Sequence, residues 1–288
     1  MAYIREGTGG YPLLLVHGWP ETKRIWWRNI APLAAAGFEV IVPDLRGFGD
    51  SDADIDGFHD LAAHSHDLHV LVNGVLGHDR CAAAGGDLGG GAIQDLGLRF
   101  EGFVERQVLF NTILPLLGDE YAAAGLQPAP SREMRQSADY FIRQGREADA
   151  LAAELRTGDE RRRYIAGFYG HRHWATPGAF TRADANFHAE PFTDPDHLRA
   201  AFGNYESAFA SRPVSETPRF FERNPVPTLA LYGPDDHVIW PDFCERCEVV
   251  FTDLVGPFVV KRAGHFLQWE RADLLNRALI AFLRDLTG

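Results

Sequence analysis

Six short apolar runs constrain this chain more than any other feature: "PLLLVHG", "FEVIVPDLRG", "RCAAAGGD", "VERQVLFN", "VPTLALYG" and "PFVVKRAGH". Helical spacing fills the gaps between them, at Ile25–Ala36, Leu61–Leu76, Gly90–Phe100, Pro241–Phe251 and Arg271–Leu286. Strand-length runs alternating with helical segments predict an α/β fold, a mostly parallel, doubly wound sheet covered on both faces. In such a sheet functional groups collect where strands end at their carboxyl edge. Only "AYIREGTGGY" is left to form an antiparallel edge, so that edge should be short.

The alternation stops between Asn111 and "NPVPTLALYG", across roughly a hundred residues without a convincing core strand. A structureless loop of that length is implausible in a compact domain. The stretch is rich in helix formers and charge ("EADALAAELRTGDERRRY") and in aromatics ("GFYGHRHW", "NFHAEPF", "AFGNYESAF"). It predicts a helical insertion over the carboxyl edge of the sheet, a cap. The expected division is residues 1–114 as the first part of the core, 115–224 as the cap and 225–288 as the rest of the core.

Bulk properties narrow the function by exclusion. A formal charge of −12 leaves no cationic surface for nucleic acid. No stretch approaches the roughly 20 apolar residues of a membrane helix. The opening "MAYIREGTGG" carries charges where a signal peptide would be apolar, so a cytoplasmic protein is expected. Neither a metal nor a cofactor is expected. Cys244 and Cys247 form a CxxC, but within a helical pattern and without further ligands at zinc spacing; Cys81 stands alone. His64, His66 and His69 in "HSHDLH" read as a solvated helix face.

The chemistry concentrates in "AAAGGDLGGG". Gly85-Gly86-Asp87-Leu88-Gly89 places a carboxylate between a strand and a helix in the small-x-nucleophile-x-small pattern of a nucleophile elbow. Taken alone, the segment is equally a glycine turn. Its partners weigh against that. "LYGPDDHVIWP" puts Asp235 and Asp236 just past one strand, and "KRAGHFLQWE" puts His265 past the last. Nucleophile, acid, then histidine is the chain order of an α/β-hydrolase triad.

Over nearly its whole length the chain resembles the α/β-hydrolases of the epoxide hydrolase group. "HGWP" (His17, Gly18, Trp19, Pro20) resembles their HGxP oxyanion motif, and "DLRGFGDSD" the loop that follows the next strand. "GGDLGG" matches their aspartate elbow and "GHFLQWE" their base-histidine segment. The resemblance implies Asp87 as nucleophile, His265 as base and Asp236, rather than Asp235, as the acid that orients it. Asn111 occupies the alternative acid position of some relatives and, as an amide, cannot serve there.

The chemistry that follows is covalent. A carboxylate is already ionised and can attack an sp3 carbon, leaving an ester that His265 and a water then hydrolyse. The backbone N–H groups of Trp19 and Leu88 would hold the oxyanion. The resemblance further implies ring-opening donors from the cap: Tyr205 in "GNYESAF", and a first donor in "SADYFIRQG" that is Tyr140, Ser137 or, as a fallback, His173. His17, Pro20, His173 and Trp174 are expected around the substrate. Twenty Phe and six Trp allow a wide aromatic pocket and a bulky or aromatic epoxide, turned over by a monomer or homodimer. The first alternative is a hydrolytic dehalogenase with the same triad. Haloalkane dehalogenases typically carry Trp after the nucleophile and Asn after the HG, where this chain has Leu88 and Trp19. Fluoroacetate dehalogenases typically carry arginines where it has Leu88 and Gly91. The second alternative is a ligand-binding protein of this fold that does no chemistry.

Overall fold

A computed structural model describes residues 1–52, 56–127, 138–171 and 173–287 of the chain. The strands are β1 (Tyr3–Glu6), β2 (Tyr11–Val16), β3 (Phe38–Pro43), β4 (Cys81–Gly86), β5 (Val104–Thr112), β6 (Thr228–Tyr232) and β7 (Leu254–Val259). They form one sheet in the order β1-β3-β2-β4-β5-β6-β7. Only β1, at one edge, is antiparallel; every other pairing is parallel. β2, β3 and β4 are buried along nearly their whole length, as strands covered on both faces must be.

The helices depart from their sequence-predicted bounds for local reasons. The segment predicted as one helix over Ile25–Ala36 is a 3-10 turn, Lys23–Trp26, followed by a separate helix, Ile30–Ala35. Pro32 explains the break: it lacks an N–H and is tolerated only in a first turn, so no helix can run through from Ile25. The Leu61–Leu76 segment is α-helical to His69 and finishes as a π-helical turn, Val70–Val75. The helix after β4 runs from Asp87 to Arg99, so it begins on the elbow residue itself.

The histidine-rich face needs correcting. His64 is fully buried and its Nε2 meets Asn204 Oδ1 at 2.8 Å; His69 stacks on Phe100 with ring centroids 3.9 Å apart. Only His66, bonded to Glu216 at 2.9 Å, keeps the solvated character expected of all three. Cys244 and Cys247 lie within the helix Phe243–Val250 as free thiols, and burial pushes the Cys247 thiol well up.

Between β5 and β6 the described residues form helices and turns. Thr157 and Thr181 each open a helix with a reciprocal capping box, to Glu160 and Asp184, and Asp194 caps the helix that starts at Pro195. The insertion is tied to the sheet's carboxyl edge by Tyr169, whose hydroxyl donates to Pro20 O, and by Arg24 Nη1, which donates to Phe187 O at 2.8 Å. Among the described residues, no helix is long and apolar enough to cross a membrane.

Candidate active site

Asp87 sits where β4 turns into its helix, with φ of +46°, a left-handed conformation that L-residues avoid. The surroundings hold it there. Thr112 Oγ1, at the end of neighbouring β5, donates to Asp87 O at 2.6 Å. Glycine is required after the turn, at Gly89, and in the HGWP loop that faces it, at Gly18. A Cβ on Gly89 would come within 2.4 Å of Val16 O, and one on Gly18 within 2.5 Å of Asp87 Cβ. The glycines in this motif therefore let three backbones meet, and the carboxylate rests at a helix N-terminus, where an anion is stabilised.

The two carboxylate oxygens have different environments. Oδ1 accepts from Trp19 N at 2.8 Å, whereas Oδ2 faces His265 Nε2 at 3.4 Å, long for a hydrogen bond. The imidazole is otherwise fixed. Its Nδ1 meets Asp236 Oδ2 at 2.8 Å, its backbone N–H donates to Trp174 O at 2.6 Å, and the Trp174 ring lies 4.8 Å away. His265 and Asp236 are both buried. Burial alone would lower the proton affinity of His265. The carboxylates of Asp236 and Asp87 outweigh it and raise the pKa well above the usual histidine value.

Asp236 is held in turn. Its Oδ1 accepts from Val238 N at 2.7 Å and its Oδ2 from Asn111 Nδ2 at 2.9 Å. Asp235 points elsewhere, accepting from Thr176 Oγ1 at 2.9 Å. Asn111, at φ of +39°, also donates to Gly233 O and Gly264 O and accepts from Gly233 N. It joins the ends of β5 and β6 to the loop that carries His265, a positioning role that its amide chemistry alone did not reveal.

Trp19 collects the aromatic side chains of the insertion. Tyr140 stacks on it at 5.5 Å, Tyr205 meets it edge-on at 5.3 Å, and Phe168 and Trp174 pack at 4.8 and 5.9 Å. Tyr140 and Tyr205 pack edge to face against each other, with ring centroids 5.7 Å apart. Burial, together with the nearby Tyr140 and Asp87, raises the Tyr205 pKa well above the usual phenol value, so it stays protonated and able to donate. Trp19, Asp87, Leu88 and Tyr205 all line one cavity of about 410 Å³, a size that suits a small organic ligand. Leu88 is the second residue of its helix, where backbone N–H groups have no intrahelical acceptor.

Other expected residues stand differently. His17 was expected to face substrate, but it is fully buried with both ring nitrogens spent on backbone: Nδ1 on Gly18 O at 2.8 Å and Nε2 on Leu45 N at 3.0 Å. It shapes the loop and does not line the cavity. Pro20 is buried and serves through its carbonyl. His173 packs between His171 and His237, with ring centroids at 4.8 and 5.9 Å. Ser137 lies outside the described residues. The sequence reading missed Glu21, directly after "HGWP". It is buried, accepts from Gly18 N at 2.6 Å and Gln268 Nε2 at 2.8 Å, and burial pushes its pKa up to about 7. Among the described residues, no group of three or more His, Cys, Asp or Glu is placed to hold a metal ion.

Comparison with known proteins agrees with this architecture. Residues 11–272 match the family model described as alpha/beta hydrolase fold. The chain is 39% identical over 125 residues to the soluble epoxide hydrolase of Corynebacterium sp. (strain C12), a match spanning 42% of each protein. It is 24% identical to epoxide hydrolase 4 of Mus musculus over 99% of this chain and 76% of that one. Among solved structures, the epoxide hydrolase CorEH without ligand superimposes with a TM-score of 0.82 at 24% identity, covering 99% of this chain and 94% of the other, a likeness of fold. These relatives accord with the resemblance carried by the HGWP, elbow and histidine motifs. With the family model covering most of its length, from β2 to the C-terminal helix, the chain belongs to the alpha/beta hydrolase fold family.

Proposed function

We propose that this protein is an epoxide hydrolase that opens an oxirane to a vicinal diol through an ester on Asp87. The observation that carries the reading is the placement of His265 between Asp236 and Asp87, beneath a pair of packed phenols, Tyr140 and Tyr205.

The steps follow from the contacts. Oδ1 of Asp87 is held by Trp19 N–H, so Oδ2 is the oxygen that attacks the epoxide carbon. The C–O bond of the ring breaks, and its electron pair goes to the ring oxygen, which takes a proton from Tyr205. Residues 115–224 act as the cap that brings Tyr205 and Tyr140 over Asp87. The ester then has its carbonyl oxygen at Trp19 N–H and Leu88 N–H, the donors that stabilise a tetrahedral oxyanion.

Esterification also prepares the second half. It removes the anion that had helped keep His265 protonated, so the imidazole gives up its proton, which returns through solvent to the Tyr205 phenolate, and becomes a base. Neutral His265, oriented by Asp236, takes a proton from water, which attacks Asp87 Cγ. Collapse breaks the ester C–O bond, the departing diol oxygen takes the remaining proton of the attacking water, and His265 keeps the proton it removed as it again faces the Asp87 carboxylate.

Two phenols over the nucleophile favour an epoxide over a halide, because a departing halide needs no proton. With styrene oxide, Tyr205→Phe should slow alkylation of Asp87 about ten- to a thousandfold, or roughly 1.4–4 kcal/mol, and barely alter ester hydrolysis. A rapid-quench assay with styrene oxide and 1-chlorohexane in parallel separates the readings. Diol formation that depends on Tyr205 supports the epoxide; halide release indifferent to Tyr205 would assign a dehalogenase.

A further inference from the structure

The cavity beside Asp87 opens to solvent across an apolar rim. Leu116, Val214 and Phe221 all line it, yet they are 53%, 44% and 59% exposed. Large apolar side chains grouped on an exposed surface mark a place where something binds. These three belong to a fixed frame. Leu116 N donates to Phe220 O at 2.9 Å, joining the segment that leaves β5 to the one that approaches β6. Next to Val214, Ser215 donates its N–H and hydroxyl to the two oxygens of Asp60 at 2.6 and 2.8 Å. Asp60 also caps the helix Leu61–His69, so the frame is anchored in the core.

The interior wall continues the same character. Ile113, Leu114, Phe220, Val238, Ile239 and Phe243 lead inward from the rim. A compact substrate such as styrene oxide, seated at Asp87, would leave the rim wetted and its apolar area unused.

We infer that the substrate is an epoxide at the end of a long apolar chain, whose tail leaves the cavity across Leu116, Val214 and Phe221. This rests on the epoxide reading above and deepens it by naming a substrate class. The tail is the occupant, because the rim and Asp87 line one and the same cavity, so a chain that fills the inner wall from Asp87 comes to solvent across these exposed side chains. Each methylene that passes from water onto this surface adds favourable transfer free energy, so selectivity should grow with chain length until the rim is covered.

The test uses the whole protein with 1,2-epoxyhexane and 1,2-epoxydecane. Wild type should favour the longer epoxide in kcat/KM by at least about tenfold. Leu116→Ser combined with Phe221→Ser should erase about tenfold of that preference, by raising KM for 1,2-epoxydecane more than for 1,2-epoxyhexane. Equal wild-type rates on the two epoxides would overturn the inference while leaving the epoxide reading intact, as would a variant that slows both alike. Turnover of neither would sink the epoxide reading instead. In that case calorimetric binding of decane-1,2-diol decides the rim separately: about tenfold weaker binding to the variant supports it, and unchanged binding overturns it. Loss of a dimer in the variant with diol binding intact would assign the rim to a second copy and likewise overturn the proposal.

Discussion

His265→Gln should accumulate an ester on Asp87. Alkylation needs the carboxylate and the donors above it, whereas hydrolysis needs a base for water, so the substitution should strike the second step. Turnover is expected to fall about a hundred- to ten-thousandfold, the usual worth of a positioned general base. Intact-protein mass spectrometry should find the enzyme heavier by one epoxide molecule. The wild-type hydrolysis step should also slow as the pH is lowered. Once Asp87 is esterified, His265 loses one of the two carboxylates that raise its pKa, and below the resulting value it is protonated and no longer a base. A variant that turns over normally, or one that never alkylates, would remove His265 from this role.

Asp236→Asn should cost nearly as much. The carboxylate fixes the tautomer and orientation of His265 through a 2.8 Å contact, and its charge stabilises the imidazolium. An amide there supplies no charge and would present either the wrong group to Nδ1 or the wrong one to Asn111, which donates to the same oxygen. A loss on the order of a thousand- to ten-thousandfold in turnover is expected, by analogy with triads in general. Asp235→Asn should stay within about threefold, since Asp235 bonds Thr176 and touches neither histidine nor cavity. Steady-state rates of the two variants, with thermal melts to confirm folding, check the pair. The reverse ranking would move the acid by one position.

How much of this was legible in the sequence follows a physical division. Strand ends were readable because parallel strands buried on both faces leave unbroken apolar runs, and the elbow because only glycine permits its backbone contacts. The adjacent acids were separable only through the resemblance, which pointed to Asp236, and Asp236 rather than Asp235 meets His265. What a polar side chain does inside was not readable. His17 stands in a motif beside the site, yet its nitrogens are consumed by Gly18 and Leu45. Glu21, which no pattern singles out, is buried, and His64 reads as solvated and is buried. These depend on contacts across long stretches of chain, which local pattern does not encode. The insertion was hardest, because no sheet register anchors its helices. Tyr205 lay where the resemblance implied a donor, while the other donor rested on a choice among Tyr140, Ser137 and His173.

The account stands on covalent catalysis by Asp87, and isotope labelling measures it directly. With enzyme in excess over an epoxide in 18O-water, the first turnover should give diol without label, because its new oxygen comes from Asp87 Oδ2. The label should appear in the peptide containing Asp87, delivered when water attacks Cγ. Label entering the diol in that first turnover, with the Asp87 peptide unlabelled, would mean that water attacks the epoxide directly, and would contradict the mechanism.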